Sequence, residues 1–405
     1  MPELKPFKGI RYSSSADLKD LTCPPYDVIS PEEQDRLHER HPNNAVRLEL
    51  ARAEGGGEKY RNVAATFQEW MAQGVLEQDT TESLYVYRQD FKGPDGTRRR
   101  VAGVIGALEL EPFGNDSGVL PHEQTMAGPK ADRLALMNAL PVNVSPIFAI
   151  YRGDGGLAPF LDALGNRPTD ARVADDQGIL HRLWVIRAPA EITMIRDALR
   201  PGPLVIADGH HRYETALAFH QERDGEPGDH GSIMCFCVDA DSEGLVVLPY
   251  NRAARGDLDD PARHLEDGFG ATPVTASHEE VLRASRSDHP LVFVTKDGDL
   301  LVEVSDDQVV EAVGDRHPAW RALDVVALHQ VVFPKLFADE PELVFSKDDE
   351  HIRKLVADGW TAGVLLRAMS AAAIVDVAGS GERMPQKASY FWPKAVTGLV
   401  FHSLS

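Results

Sequence analysis

Residues 207–214 read Ala-Asp-Gly-His-His-Arg-Tyr-Glu, directly after the apolar stretch Pro203–Ala207. The pattern is a buried strand, a glycine turn and the start of a helix. The first N–H groups of a helix lack internal partners, and the helix dipole adds positive potential there. Such an end binds anions before any side chain is counted. Arg212 adds a forked donor suited to phosphate. His210 and His211 can donate hydrogen bonds or move protons near neutral pH. Gly209 makes the turn, and Asp208 is placed to cap the helix, orient a histidine or hold a metal. An ordinary capped helix with a solvated first turn is the plainer alternative. Two histidines and an arginine at a positive helix end are unfavourable without an anion, which favours a site. On the first turn Arg212 is expected to face solvent or ligand. The Gly-x-x-x-x-Gly-Lys spacing of a Walker loop is absent.

Three other segments carry candidate chemistry. Pro121-His122-Glu123-Gln124-Thr125 precedes Lys130, Asp132 and Arg133. His122 or Glu123 could serve as a general base, while Lys130 and Arg133 could neutralise phosphate charge. Position 126 is Met rather than the second His of a zinc-binding helix, which argues against a metalloprotease. Gly381–Phe391 contains Gln386 and Lys387 between glycine and aromatics, a composition suited to a loop folding over a site. Pro24-Pro25-Tyr26-Asp27 can hold Asp27 at a fixed position.

The elements that must position these residues are legible in outline. Ser30 reads as an N-cap with Pro31 on the first helical turn. Residues 58–73 have helical apolar spacing and stop at Gly74. Ser83–Phe91 and Arg98–Leu110 read as a hairpin around Gly93-Pro94-Asp95-Gly96. Strands are expected at 144–151, 181–187, 203–207, 232–239, 244–249 and 362–367, with a helix at 349–358. Strands and helices without strict alternation predict an α+β, or mixed α/β, fold. Composition shifts near residue 255, which places a core at 1–255 and a C-terminal α/β region at 256–405. The 381–394 loop of that region is expected to return to the site.

Composition limits the function classes. The 405 residues are 43% hydrophobic and 26% charged, ordinary for a folded soluble protein. The formal net charge is −21, which disfavours general binding to nucleic acid. No signal peptide or membrane span is visible, and three cysteines make no disulfide framework; both point to the cytoplasm. Cys235 and Cys237 read as buried small apolar residues with diverging side chains, a poor redox or metal pair.

Taken in order, four motifs resemble one family. They are Pro24-Pro25-Tyr26-Asp27-Val28-Ile29-Ser30, His122-Glu123-Gln124-Thr125 with Lys130-Ala131-Asp132-Arg133, Ile206–Ala216, and Met384-Pro385-Gln386-Lys387 with Tyr390-Phe391. The chain looks like the bacterial family DUF1015 over nearly its whole length. It departs from the family's expected pattern at Ala388, which lacks a hydroxyl, and at Asn251, where a histidine is expected. Asp208-Gly209-His210-His211-Arg212 is also similar to the Asp-Gly-His-His-Arg segment of the ParB/sulfiredoxin-like kinases that phosphorylate free serine. That resemblance implies a ParB/sulfiredoxin-like core with a mixed sheet and a turn that grips nucleotide phosphates. It lacks the turn cysteine that sulfiredoxin chemistry needs. Together these features lead to a phosphotransferase acting on a small hydroxylated metabolite, with a nucleotide-dependent serine kinase first in line. The site residues are His122, Glu123, Asp208, His210 and His211 for catalysis. Gly209, Arg212, Lys130, Arg133, Gln386 and Lys387 hold phosphate or nucleotide. Asp27 and Asp208 would hold Mg²⁺, with ATP or ADP as cosubstrate. The alternatives are a phosphoserine or other phosphomonoester phosphatase, and a ParB-like nucleotide-binding regulatory protein without turnover.

Overall fold

The hairpin read from the sequence forms the middle of a large sheet. Its strands are Leu84–Lys92 and Arg98–Glu109, and the turn closes where Gly93 N donates to the Thr97 carbonyl at 2.7 Å. These elements come from a computed structural model that describes every residue except Met1, Ser15, 53–58, 115–116, 124–126 and Pro201. Glu58, Gln124, Thr125 and Met126, which figure in the expectations above, therefore lie outside the described residues.

The chain divides into two compact units. The first comprises Met1–Pro121, Thr125–Leu245 and Pro393–Ser405; the second comprises His122–Gln124 and Val246–Trp392.

The first unit is built on a nine-stranded mixed sheet. Its strands are β1 (Leu4–Lys5), β2 (Leu84–Lys92), β3 (Arg98–Glu109), β4 (Val119–Pro121), β5 (Ile147–Tyr151), β6 (Ala171–Ala174), β7 (Leu180–Ile186), β8 (Leu204–Asp208) and β9 (Ser232–Asp239). Their order is β4-β8-β5-β9-β3-β2-β7-β6, with β1 beside β3. The pairs β8–β4 and β9–β5 are parallel, and the others are antiparallel. Three helices matter for the site: α1 (Pro31–Arg40), α2 (Ala127–Ala139) and α3 (His210–Glu222). Ser30 caps α1 as expected, accepting from Glu33 N at 3.2 Å. The 58–73 pattern yields a shorter helix, Val63–Ala72, because residues 59–62 form turns. Tyr213, Ala216 and Phe219 of α3 are buried against Ile147, Ile206 and Cys235 in the core. The three cysteines are free and buried. A spacing of two returns a strand's side chains to one face, so the sulfurs of Cys235 and Cys237 lie 3.5 Å apart rather than diverging.

In the second unit β10 is Val246–Pro249 and β11 is Asn251–Arg255. They are followed by β12 (Thr272–Pro273), β13 (His289–Thr295), β14 (Gly298–Val304), β15 (Glu342–Ser346), β16 (Ala362–Leu365) and β17 (Ser389–Trp392). Six form a sheet in the order β12-β14-β13-β16-β11-β15, and β10 pairs with β17 in a separate ribbon. A helix at Asp349–Ala357 covers this sheet through Ile352 and Val356. The whole is a mixed α/β protein. Among the described residues no helix is long and apolar enough to cross a membrane.

Candidate active site

Strand β8 is buried on both faces from Leu204 to Ala207, which suits a strand held between β4 and β5. Its register with β5 shifts between Ile206 and Asp208, and the strand ends there. Gly209 follows with φ 93° and ψ 27°, a left-handed conformation open to glycine. A Cβ at this position would also lie 2.8 Å from Ile147 Cγ2 and 3.0 Å from Arg212 Nε and Nη2. Gly209 is therefore required by backbone and by packing. Helix α3 starts at once, and its N-terminus carries no side-chain cap.

Asp208 does not cap the helix. Its Oδ2 accepts from Arg212 Nη2 at 2.6 Å, and its Oδ1 accepts from the Lys394 ammonium. Burial would raise the Asp208 pKa, but Lys394, Arg212 and His210 carry it down to about 2. Lys394 Nζ also stands 3.9 Å from Asp27 Oδ2. Two carboxylates thus flank one ammonium beside the positive end of α3.

Arg212 departs from the expectation of a solvent-facing residue. It is only 9% exposed. Its Nη1 donates to Ser145 Oγ at 3.0 Å and to the Pro146 carbonyl at 2.7 Å. Ser145 donates to Glu49 Oε1 at 3.1 Å, and Tyr26 N donates to the same oxygen at 3.3 Å. Burial opposes the Arg212 charge, while Asp208, Asp27, Tyr26 and Glu49 favour it and raise its pKa. The two terminal nitrogens of Arg212 fix Asp208 and the 145–146 turn, while its buried Nε has no hydrogen-bond partner among the described residues. Burial pushes the Tyr26 hydroxyl up to about 12 despite Arg212 and Arg133 nearby.

Arg133 of α2 is wired in a similar way. It is 4% exposed and donates to Asp132, to Tyr60 Oη at 2.6 Å and to the Glu49 carbonyl at 2.9 Å. Its guanidinium lies 4.1 Å from the centre of the Tyr26 ring. A cavity of about 40 Å³ lined by Glu49, Arg133, Asn143, Ser145 and Arg212 lies among these groups. Lys130 pairs with Glu214 across α2 and α3. His210 is buried and His211 is half-buried on the first turn of α3.

The remaining sequence candidates belong to the second unit. His122 is 1% exposed, and its Nε2 lies 3.0 Å from Ser389 Oγ. Met384 N donates to the His122 carbonyl at 2.8 Å, and Glu123 bridges Met384 in parallel. Gln386 is exposed, and Lys387 is half-buried with φ 54°. In the first unit Asp27 is linked to Asp208 through Lys394, and in the second 122–123 meets 384–389. Asn251 uses its Oδ1 to accept from Leu366 N at 3.1 Å, a structural task.

Sequence reasoning passed over Lys394, Glu49 and Ser145, and gave Tyr26 no role of its own. Lys394 is placed by the last segment of the chain. Cys23 and Thr397 exchange backbone hydrogen bonds, and Gln89 Nε2 donates to the Lys394 carbonyl at 2.9 Å. A lysine after Trp392-Pro393 carries little signal by itself. Glu49 could have been noticed as a carboxylate set between Leu48 and Leu50.

Oxygen ligands suit Mg²⁺, which takes one or two carboxylates along with phosphate oxygens. Asp27 and Asp208 are carboxylates of that kind, but the Lys394 ammonium stands between them, and the two Asp208 oxygens accept from Lys394 and Arg212. Among the described residues no group of three or more His, Cys, Asp or Glu side chains is gathered for a metal.

The family model for DUF1015, described as a protein of unknown function, matches residues 4–326. No curated protein matches the chain. Among solved structures, a free serine kinase variant in complex with ADP is 13% identical, covering 70% of this chain and 87% of that one with a TM-score of 0.36. SbnI from Staphylococcus aureus, with a C-terminal truncation, is 10% identical over 72% of this chain and 85% of that one, TM-score 0.37. A conserved hypothetical protein from Pyrococcus furiosus is 13% identical over 70% and 92%, TM-score 0.34.

Proposed function

The chain belongs to the DUF1015 family, and on that footing we propose that its first unit transfers a phosphoryl group from a nucleotide to a small hydroxylated metabolite, serine being the first choice. The observation that carries this reading is the Lys394 ammonium set between Asp208 and Asp27 at the uncapped start of α3. Phosphoryl transfer needs little covalent help from a protein. It needs the phosphates positioned and the developing charge spread. The first turn of α3 and Lys394 supply both. Asp208 and Arg212 hold Lys394 and the turn in place, so positive charge is pre-set rather than recruited during the reaction. His211, half-buried on that turn, takes the proton from the attacking hydroxyl as the oxygen–phosphorus bond forms and the nucleotide leaves.

The test is incubation with ATP or ADP, Mg²⁺ and serine, set beside phosphoserine alone. Nucleotide consumption dependent on serine, with phosphoserine formed, is the expected result. Phosphate release from phosphoserine without nucleotide would replace this reading with a hydrolase. Nucleotide binding with no turnover in either arm would replace it with a regulatory binding protein.

A further inference from the structure

Arg252 lies in the second unit on β11, opposite Phe345 of β15, and has no exposed surface. Its Nε donates to His329 Nε2 at 3.1 Å, its Nη1 to the Tyr250 carbonyl and its Nη2 to the Lys387 carbonyl at 3.1 Å. All three acceptors are uncharged. Among the described residues no carboxylate pairs with this guanidinium, whereas Arg133, Arg212, Arg353 and Arg367 each have one. Burial without an acid drives the Arg252 pKa down to about 9. Burial, together with the Arg252 charge, drives that of His329 down to about 3. A lone buried charge is strongly destabilising, so its persistence calls for a physical reason.

Two irregularities meet at the same acceptors. Lys387 has φ 54°, one of two non-glycine residues with positive φ among the described residues. His329 lies on a π-helical turn, Leu328–Val332, ahead of Pro334, which lacks the N–H needed to continue a regular helix. Strained backbone and π turns persist where surrounding structure imposes them, and they cluster at binding sites.

The surroundings are basic and aromatic. Lys387 Nζ lies 5.3 Å from the Tyr250 ring centre, and Lys347 Nζ lies 4.6 Å from that of Tyr390. The two tyrosine rings meet edge-on with centroids 5.5 Å apart. In a chain of net charge −21, three cations flank one tyrosine pair.

We propose that the second unit binds a phosphate-sized oxyanion beside the Tyr250–Tyr390 pair, held by Lys347 and Lys387 over the buried charge of Arg252. The two ammonium groups make the direct contacts. Arg252 adds attraction from the interior, where solvent screens it least. The anion supplies Arg252 with the negative charge that no described carboxylate gives it. This inference does not depend on the phosphotransferase reading of the first unit.

The test is calorimetric titration of the full chain with inorganic phosphate, and separately with malonate, at fixed ionic strength. The expected result is phosphate binding weakened at least about tenfold by Lys387→Gln and by Lys347→Gln, and retained by Lys387→Arg. Lys394→Met distinguishes the two units. Loss of all phosphate binding in Lys394→Met, with Lys387→Gln unchanged, overturns this proposal and leaves the first-unit reading standing. Loss in Lys387→Gln, with Lys394→Met unchanged, supports it even if the first unit binds no phosphate. Malonate binding tighter than phosphate through the same lysines also supports an oxyanion site and identifies a carboxylate-bearing ligand. Absence of binding by both anions overturns it. Arg252→Met guards against misfolding artefacts: a folded variant that keeps wild-type phosphate affinity also overturns the proposal.

Discussion

At the scale of single residues, Arg212 holds its own surroundings together, and the proposed function gives the phosphate-facing role to Lys394 instead. Arg212 has the phosphate-shaped fork, yet its donors hold Ser145, Pro146 and Asp208. Removing it would take one of the two cations from Asp208 and the donor from the Pro146 carbonyl in a buried setting. Arg212→Ala is therefore expected to cost about 3 kcal/mol of stability, the range for breaking a buried ion pair, read from urea unfolding. A loss under about 0.5 kcal/mol would contradict the wiring described here. Lys394 is the cation that stands between two carboxylates, and its side chain is 11% exposed. Lys394→Met should lower kcat/KM for phosphoryl transfer by about a hundredfold, the usual effect of losing one electrostatic contact to a transition state. Lys394→Arg should restore part of it. Transfer at the wild-type rate in Lys394→Met would remove the ammonium from the mechanism.

At the scale of elements, the site depends on how β8 passes into α3. The strand is buried on both faces, its register slips at the end, and a left-handed glycine turns the chain into the helix. Gly209→Ala would impose an unfavourable φ and push Cβ toward Ile147 and the Arg212 guanidinium. Destabilisation of about 1 to 3 kcal/mol is expected, measured by thermal or urea unfolding. A neutral Gly209→Ala would show that the turn can relax without the left-handed conformation. This junction was legible in the sequence, because an apolar run, Asp-Gly and a helical pattern follow one another. What Asp208 does was not legible. A cap and an ion-pair partner look alike in one dimension, and Lys394 lies 186 positions further along.

At the scale of the whole chain, several carboxylates of the first unit titrate low. For Asp79, burial is outweighed by hydrogen bonds and charge from Arg11, with Tyr85 and Arg187 assisting. For Asp132, burial is outweighed by Arg133 and Lys59. Asp208 falls furthest, to about 2. A carboxylate whose folded pKa is depressed adds stability above its unfolded pKa and loses it as pH falls through the folded value. The first unit should therefore hold its stability above about pH 4 and lose it progressively toward pH 2. Asp208 alone accounts for about 2 kcal/mol of that change. Unfolding followed at stepped pH checks this, and Asp208→Asn should flatten the acid slope. A stability loss confined to pH above 6 would contradict it.

By itself the sequence determined the mixed α/β class, the helix start at Ser30, the 84–109 hairpin and the Asp-Gly turn into α3. Each depends on local rules of periodicity, capping and turn chemistry that act over a few residues. Only the tertiary structure decided which charges meet. It brought residues 393–405 back to the first unit, put Lys394 beside Asp208 and Asp27, turned Arg212 inward, and buried Arg252 without an acid. Ion pairs and burial depend on distances between segments far apart in the chain, and spacing along one dimension does not encode those distances.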